Sequence, residues 1–455
     1  MSNDFLPGRA LSARGQTWVF VGVGGVSMCS LCMLAQRDGA HVVGSDRVPS
    51  AATEHLRSLG IPVYIGHSEE NVPPDADALI YSLAIPPDAP ERQAARRLGI
   101  PEWSRAQFFG AYMHRFAERI GVSGTHGKST VTAMLHHVFS CAGRSPTTLC
   151  GTEVTDPFAC CCGDDQYLIY EGCEYREALL SFCPTTLVLL NAEWDHPDCF
   201  ADAQALVSVF LRAAEAAGRV VLSVDDRSLR AIAETMPSRA WTFGQSSDAR
   251  LRYDVIGHTR GCFRVDVTEN GTHLGEIQLA VPGRFQCANA AAAVCAARAY
   301  DVPFETIREA LESFYGISRR LEPITLACGR QVYYDYAHHP TEIRASIEAL
   351  RQMSDERLCV VFRPHTFSRT AALWDDFRRA LSLADEVLLT DIYAARETPI
   401  EGITAERLAQ AIGERARYVP LSVLPSELMC VQGRVVLMGA GDLSVLTDGA
   451  QRPCS

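Results

Sequence analysis

Short β-branched and apolar runs alternate along the chain with amphipathic stretches, the order expected of βαβ units around parallel sheets. In a first block the pattern predicts strands at Trp18–Val23, His41–Gly44 and Ala78–Ser82 and a helix over Ser27–Asp38, ending near Phe116. A second block opens with a strand at Ile120–Ser123 and a helix from Thr130 to about Cys141. Strands follow at Tyr167–Tyr170, Thr186–Asn191 and Arg219–Ser223. From Arg252 to Leu279 the runs become short and alternating, broken by Thr-Arg-Gly and Glu-Asn-Gly, which predicts an antiparallel excursion. A third block begins near Gly316, with strands at Val332–Tyr334, Leu358–Phe362, Glu386–Leu389 and Val435–Met438. The expectation is an α/β chain of three domains: 1–116 and 317–455, both Rossmann-like, and 117–316, a parallel sheet with a phosphate loop.

Composition narrows this. With 455 residues, 47% hydrophobic and 21% charged, the chain can build several cores without staples, and disorder, collagen and coiled coil are excluded. A net charge of −12 argues against a nucleic-acid coat. The 17 cysteines include a run at 160–162 and a lone C-x-x-C at Cys29 and Cys32. A four-thiolate zinc site needs two such pairs, so free thiols in a reducing cytoplasm are expected. Residues 17–36 carry no charge and follow Arg9 and Arg14, as in a signal peptide. Their clustered glycines and the following HVVGSD read instead as strand, turn, helix and strand, so neither membrane nor export is expected.

Of the 42 basic residues, 41 are arginine and one is lysine, Lys128. Codon bias accounts for the arginines but not for the exception. Lysine is a compact, rotatable point charge where arginine is a planar fork, so Lys128 is expected where a charge sits in a tight cradle.

The candidate chemistry lies just past predicted strands, where α/β sheets bind ligands. FVGVGGVSM places Gly22, Gly24 and Gly25 on a strand-to-helix turn suited to a diphosphate, with Asp46 about twenty residues on for a ribose or base. GVSGTHGKST reads as a phosphate loop: its backbone donors cradle phosphates, Lys128 neutralises the β/γ oxygens and the Ser129 hydroxyl can ligate Mg²⁺. Glu171, Glu174 and Glu177 follow one strand and NAEWDHPD the next, a set able to hold one or two Mg²⁺. YYDYAHHPTEI and FRPHTFSRT bring Asp335, Tyr336, His338, His339, His365 and Arg369, without the spacing of a zinc protease. Anion and amino-acid recognition fits them better. Arg319 and Arg320 stand where a hinge would swing them onto phosphates.

Nearly the whole chain resembles the Mur ligases, in FVGVGGVSM, GSD, GHSEENV, GTHGKST, NAEWDHPD, GRFQCAN, YDYAHHPTEI, FRPHTFSRT, DIYAARETPI and LMGAGDL. DYAHHPTEI with PHTFSRT is similar to the alanine-adding members. The resemblance implies a UDP-sugar domain, a central ATPase and a C-terminal amino-acid domain closing over the cleft. It implies ATP-dependent ligation of L-alanine to the carboxylate of UDP-N-acetylmuramate through an acyl phosphate, by a monomer or weak homodimer. Carried over residue by residue, it puts the UDP-sugar at Gly22, Gly24, Gly25, Asp46 and Ser82, and ATP at Gly124, Thr125, His126, Gly127, Lys128, Ser129, Thr130, Asn289 and Asp335. Mg²⁺ falls to Ser129, Glu171 and His196, and the amino acid to Tyr336, His338 and His365. Lys128, Glu171, His196, Arg320, His338 and Arg369 would carry catalysis.

Three departures accompany this. The family's E-A-D-E-x-D reads EGCEYRE, leaving Glu171 or Glu174 as the metal ligand. G-R-H-N-x-x-N reads GRFQCAN, keeping Asn289. No second lysine exists to be carbamylated, as some later-acting relatives require. The rival readings are a ligase that re-attaches a recycled tripeptide, a folate polyglutamate ligase, a nicotinamide oxidoreductase, and a non-catalytic UDP-sugar-binding protein.

Overall fold

The strand Thr17–Val21 is the centre of the first sheet, and its last four residues are buried on both faces, as in a covered parallel strand. A computed structural model describes residues 11–151, 160–395, 397–441, 443–447 and 449–451. Arg9, Arg396 and Asp442, named or quoted in segments above, lie outside the described residues. All five strands of this sheet are parallel. Thr17–Val21 lies between His41–Asp46 and Ala78–Tyr81, with Val63–Ile65 and Glu102–Ser104 at the edges. The crossover from one side of the central strand to the other makes its carboxyl end a switch point, where ligands bind in open α/β sheets. The predicted strand stops at Val21 rather than Val23 because Gly22 takes φ +89°, which turns the chain into the helix Val26–Arg37.

Among the described residues, the second sheet has ten strands. Glu118–Ser123 is flanked by Tyr167–Glu171 and Thr186–Leu189, followed outward by Arg219–Ser223 and Ala240–Gly244, all parallel. The expected excursion is there: Leu251–Thr259, Cys262–Glu269 and Thr272–Pro282 form an antiparallel meander. Its two turns use positive φ at Arg260–Gly261 and Asn270–Gly271, the primed geometry that matches strand twist. The helices Lys128–Cys141 and Phe285–Arg298 share one core on this sheet. A run of buried alanines in the second helix removes side-chain bulk, letting the phosphate-loop helix pack close.

In the third sheet Arg434–Met438 sits between Gln331–Asp335 and Leu358–Phe362, with Glu386–Leu389 and Ala416–Tyr418 continuing it in parallel. Glu322–Thr325 adds an antiparallel edge strand. The loops after Gln331–Asp335 and Leu358–Phe362 face the carboxyl end of the second sheet, where side chains from the two sheets bond directly. Among the described residues, no helix is long and apolar enough to cross a membrane, and Cys29 and Cys32 are both buried in the core of the first sheet.

Candidate active site

Strand Glu118–Ser123 runs into the loop at Gly124, and the helix begins at Lys128, so the loop's N–H groups and the helix dipole point at the same space. Gly124 and Gly127 adopt φ +129° and +86°; a Cβ on Gly127 would come within 2.5 Å of Asn289 Oδ1. Lys128 folds back beneath this loop. Its Nζ donates to Gly124 O at 2.6 Å, Thr125 O at 3.0 Å and Glu174 Oε1 at 3.0 Å, three acceptors for three hydrogens. Burial opposes the ammonium, but the Glu174 carboxylate raises its pKa above the ordinary lysine value, so it stays charged.

Ser129 Oγ donates to Glu171 Oε2 at 2.9 Å, and Gly151 N donates to the same oxygen at 2.8 Å. Glu174 is buried, and its Oε2 has no hydrogen-bond partner among the described residues. His196 Nε2 stands 3.8 Å from Glu174 Oε1. Its backbone takes φ +57°, a strained conformation for a non-glycine residue. Burial lowers the His196 pKa, keeping the ring neutral as metal ligation requires. A hydroxyl, two carboxylates and an imidazole, one carboxylate oxygen left unmatched, fit Mg²⁺, which takes few protein ligands and keeps water.

The C-terminal domain brings Arg320, Tyr336 and His338 to the same cavity, of about 280 Å³, together with Thr125, Gly127 and Lys128. Burial works against the Arg320 charge, but Glu342 and Asp335 hold its pKa above the ordinary arginine value. His338 Nδ1 lies 3.0 Å from the Tyr336 carbonyl, which can only accept, so the ring proton sits on Nδ1 and Nε2 keeps its lone pair. Burial pushes His338 down to about 3, and it is neutral in the physiological range.

A second cavity, of about 380 Å³, is lined by Gly22, Gly25, Ser82, Arg105 and Phe109. Gly151, Glu171 and Cys173 belong to the walls of both cavities. Asp46 braces the glycine turn rather than lining the space: its Oδ2 accepts from Gly24 N at 2.7 Å.

Seven expected residues do not line the first cavity: Gly124, His126 and Thr130 of the phosphate-loop segment, and Asn289, Asp335, His365 and Arg369. Asp335 is buried, with one carboxylate oxygen taken by Ser346 Oγ at 2.8 Å and the other by Ala337 N at 2.9 Å. Burial pushes it up to about 6. Asn289 is buried beside Gly127 and bonded to Gln286. Arg369, expected among the residues that carry catalysis, is 3% exposed. It grips Asp195 at 2.8 and 3.2 Å and reaches His365 Nδ1 at 3.1 Å and His196 Nδ1 at 3.3 Å. It is thus a buried strut between domains, because Asp195 across the interface supplies the counter-charge its burial demands. His365 lies behind it, stacked on Tyr393 with ring centroids 5.6 Å apart.

Residue-by-residue reading passed over Glu193, Asp195, Glu342 and Arg105. The first two stand in NAEWDHPD beside His196. Glu342 follows His339 by three positions, the spacing of a helix capping box, which it forms. Arg105 had no signal among 41 arginines.

Comparison with known proteins agrees with this architecture. The profile described as Mur ligase family, catalytic domain, matches residues 17–117; the Mur ligase middle domain matches 122–297, and the Mur ligase, glutamate ligase domain, 319–448. A UDP-N-acetylmuramate–L-alanine ligase of Caldicellulosiruptor bescii is 36% identical, the alignment covering 95% of this chain and 97% of that one. One from Salinibacter ruber is 37% identical over 93% and 92%. The crystal structure of a UDP-N-acetylmuramate-alanine ligase from Thermotoga maritima superposes with a TM-score of 0.80 at 28% identity, covering 94% of this chain and 96% of that one. The chain belongs to the Mur ligase family.

Proposed function

We propose that the protein joins L-alanine to the carboxylate of UDP-N-acetylmuramate, converting ATP to ADP and phosphate, a step in making peptidoglycan precursors. The observation that carries this is the common wall: Gly151, Glu171 and Cys173 separate a diphosphate-type turn from a phosphate loop. A sugar carboxylate held from one side would meet a γ-phosphate held from the other. The carboxylate oxygen attacks the γ-phosphorus and ADP leaves; the free amine of alanine then attacks the acyl carbon, the C–O bond to phosphate breaks, and the departing phosphate takes that oxygen and the proton lost from nitrogen. Both steps concentrate negative charge on phosphate oxygens, and Lys128 and Arg320, which both line the cavity, supply fixed positive charge there. Ser129, Glu171 and His196, with Glu174 beside them, would hold Mg²⁺, which when bound supplies further positive charge there. His338, near 3, is too weak a base to deprotonate an ammonium, so its Nε2 orients the amine by accepting a hydrogen bond. Tyr336 lines the same space. In this reading the domains act at 1–116, 117–316 and 317–455.

The test is phosphate release from the purified protein. Release is expected only when ATP, Mg²⁺, UDP-N-acetylmuramate and L-alanine are all present. Release indifferent to the sugar nucleotide overturns the reading, and preference for a tripeptide over alanine assigns the recycling reaction instead.

A further inference from the structure

We propose that His126 is a positioning residue, whose imidazolium clamps the C-terminal domain onto the phosphate loop and so ties closure to the state of that loop. The kinetic half of this rests on the ligase reading above; the docking half does not.

His126 is the loop residue two before Lys128, and its ring points out of the loop toward the third domain. Nε2 lies 3.0 Å from Glu193 Oε2 in its own domain, and Nδ1 lies 3.2 Å from Glu342 Oε1 across the interface. A carboxylate oxygen only accepts. A neutral imidazole has a single N–H and would set a lone pair against one of the two oxygens, so both nitrogens donate and the ring is a cation. Its backbone is pinned as well: His126 N donates to Asn191 Oδ1 at 2.8 Å, and Asn191 Nδ2 donates to His126 O at 3.0 Å. The backbone that carries the ring is therefore tied to Asn191.

On the other side the clamp grips one helix turn. Glu342 Oε2 closes the capping box of the helix Pro340–Met353 by accepting from His339 N at 3.4 Å and also accepts from His338 N at 3.1 Å, while Thr341 Oγ1 donates to Glu193 Oε1 at 2.6 Å. The charged groups facing the ring and its partners are Glu193, Glu342, His339, whose ring centroid is 4.9 Å away, and Arg320 and His338, which stand 3.7 and 3.4 Å from the Glu342 carboxylate. His126, Glu193 and His339 also lie close enough to suggest a metal site. His339 Nδ1, however, accepts from Thr341 N at 3.3 Å, which leaves the ring proton on Nε2 and no lone pair for an ion.

Burial opposes the imidazolium, but hydrogen bonds to Glu193 and Glu342 raise its pKa from 6.5 to about 9. The folded pKa is the higher one. The clamp is therefore complete below 6.5 and is lost as the pH rises through about 9.

The experiment compares the full-length protein with His126→Gln and Glu193→Gln. Glu193 is the safer control, because its side chain is 43% exposed and caps no helix. Two readouts are taken: radius of gyration by small-angle X-ray scattering at pH 7.5, and KM for L-alanine and for ATP from pH 7 to 10. Both variants are expected to be more extended and to raise KM for alanine by about tenfold, a common size for coupling between sites, with a smaller change for ATP. In the unsubstituted protein KM for alanine should climb as the pH passes about 9, and in His126→Gln that climb should be absent. An unchanged radius of gyration in both variants overturns the clamp, as does an alkaline climb that survives in His126→Gln. Without any alanine-dependent turnover the ligase reading fails, while scattering still decides whether His126 docks the domain.

Discussion

Lys128 and Glu174 form an ion pair under the phosphate loop, Nζ to Oε1 at 3.0 Å, with the lysine's other two hydrogens on Gly124 O and Thr125 O. An ammonium turns to satisfy three converging acceptors; a guanidinium is planar and longer and cannot enter the same cradle. Lys128→Arg is therefore expected to lower kcat by about 100-fold or more, the loss typical of a misplaced transition-state charge. Phosphate release, measured on protein whose circular dichroism matches the parent, checks this. Turnover within fivefold of the parent would show that charge alone suffices at this position.

Gly24 packs against Asp46. A Cβ there would meet Asp46 Oδ2 at 2.9 Å, the oxygen that accepts from Gly24 N. Gly24→Ala should push Asp46 aside and open the turn beside Ser82 and Gly22. The expected result is a KM for UDP-N-acetylmuramate raised about tenfold or more, with KM for ATP little altered because the phosphate loop is on another sheet. Equal changes in both constants would mean that the turn serves folding instead.

Much of this was legible in sequence because the signals are local. A glycine before a helix and a lone lysine after GTHG mark both loops, and strand-length apolar runs mark most of the central strands. The misplacements have physical causes. Val23 leaves its predicted strand because Gly22 has already turned. Arg369 and Asp335 were read as ligand contacts from their motifs, but each is taken up inside the protein. Asp195, 174 positions away in sequence, claims Arg369, and Ser346 claims Asp335. Pairings between domains leave no periodic trace, so the sequence marks Glu342 as a helix cap but not as the partner of His126.

Stability should fall in mild acid. Burial lowers His338 to about 3 and His365 to about 4, from an ordinary 6.5, so both are neutral in the folded chain. Below 6.5 the unfolded chain binds these protons and the folded one does not, costing up to about 1.4 kcal/mol per pH unit for each group. Asp335, raised to about 6, acts in the opposite sense by taking a proton when folded, and offsets part of one histidine. The melting temperature should drop between pH 6.5 and 5, and His365→Asn should flatten that drop. A profile as steep in the variant as in the parent would assign the acid sensitivity elsewhere.

Arg105 opens the helix Arg105–Tyr112 and lines the cavity shared with Gly22, Ser82 and Glu171. Its guanidinium has no hydrogen bond or ion pair among the described residues, and burial lowers its pKa below the ordinary arginine value. Half-burying a cation without a partner is costly, so its place on the cavity wall is best explained by an anionic ligand that completes it. Under the proposed function, the diphosphate and carboxylate of UDP-N-acetylmuramate would supply such an anion. Arg105→Ala should raise KM for the sugar nucleotide by about 10- to 100-fold, the worth of a charge-assisted hydrogen bond, and should raise rather than lower the melting temperature of the free protein. Thermal shift with and without UDP-N-acetylmuramate separates the two effects. The parent should gain stability on adding the nucleotide and the variant should gain little. A variant that melts lower than the parent and binds the nucleotide equally well would make Arg105 a structural residue.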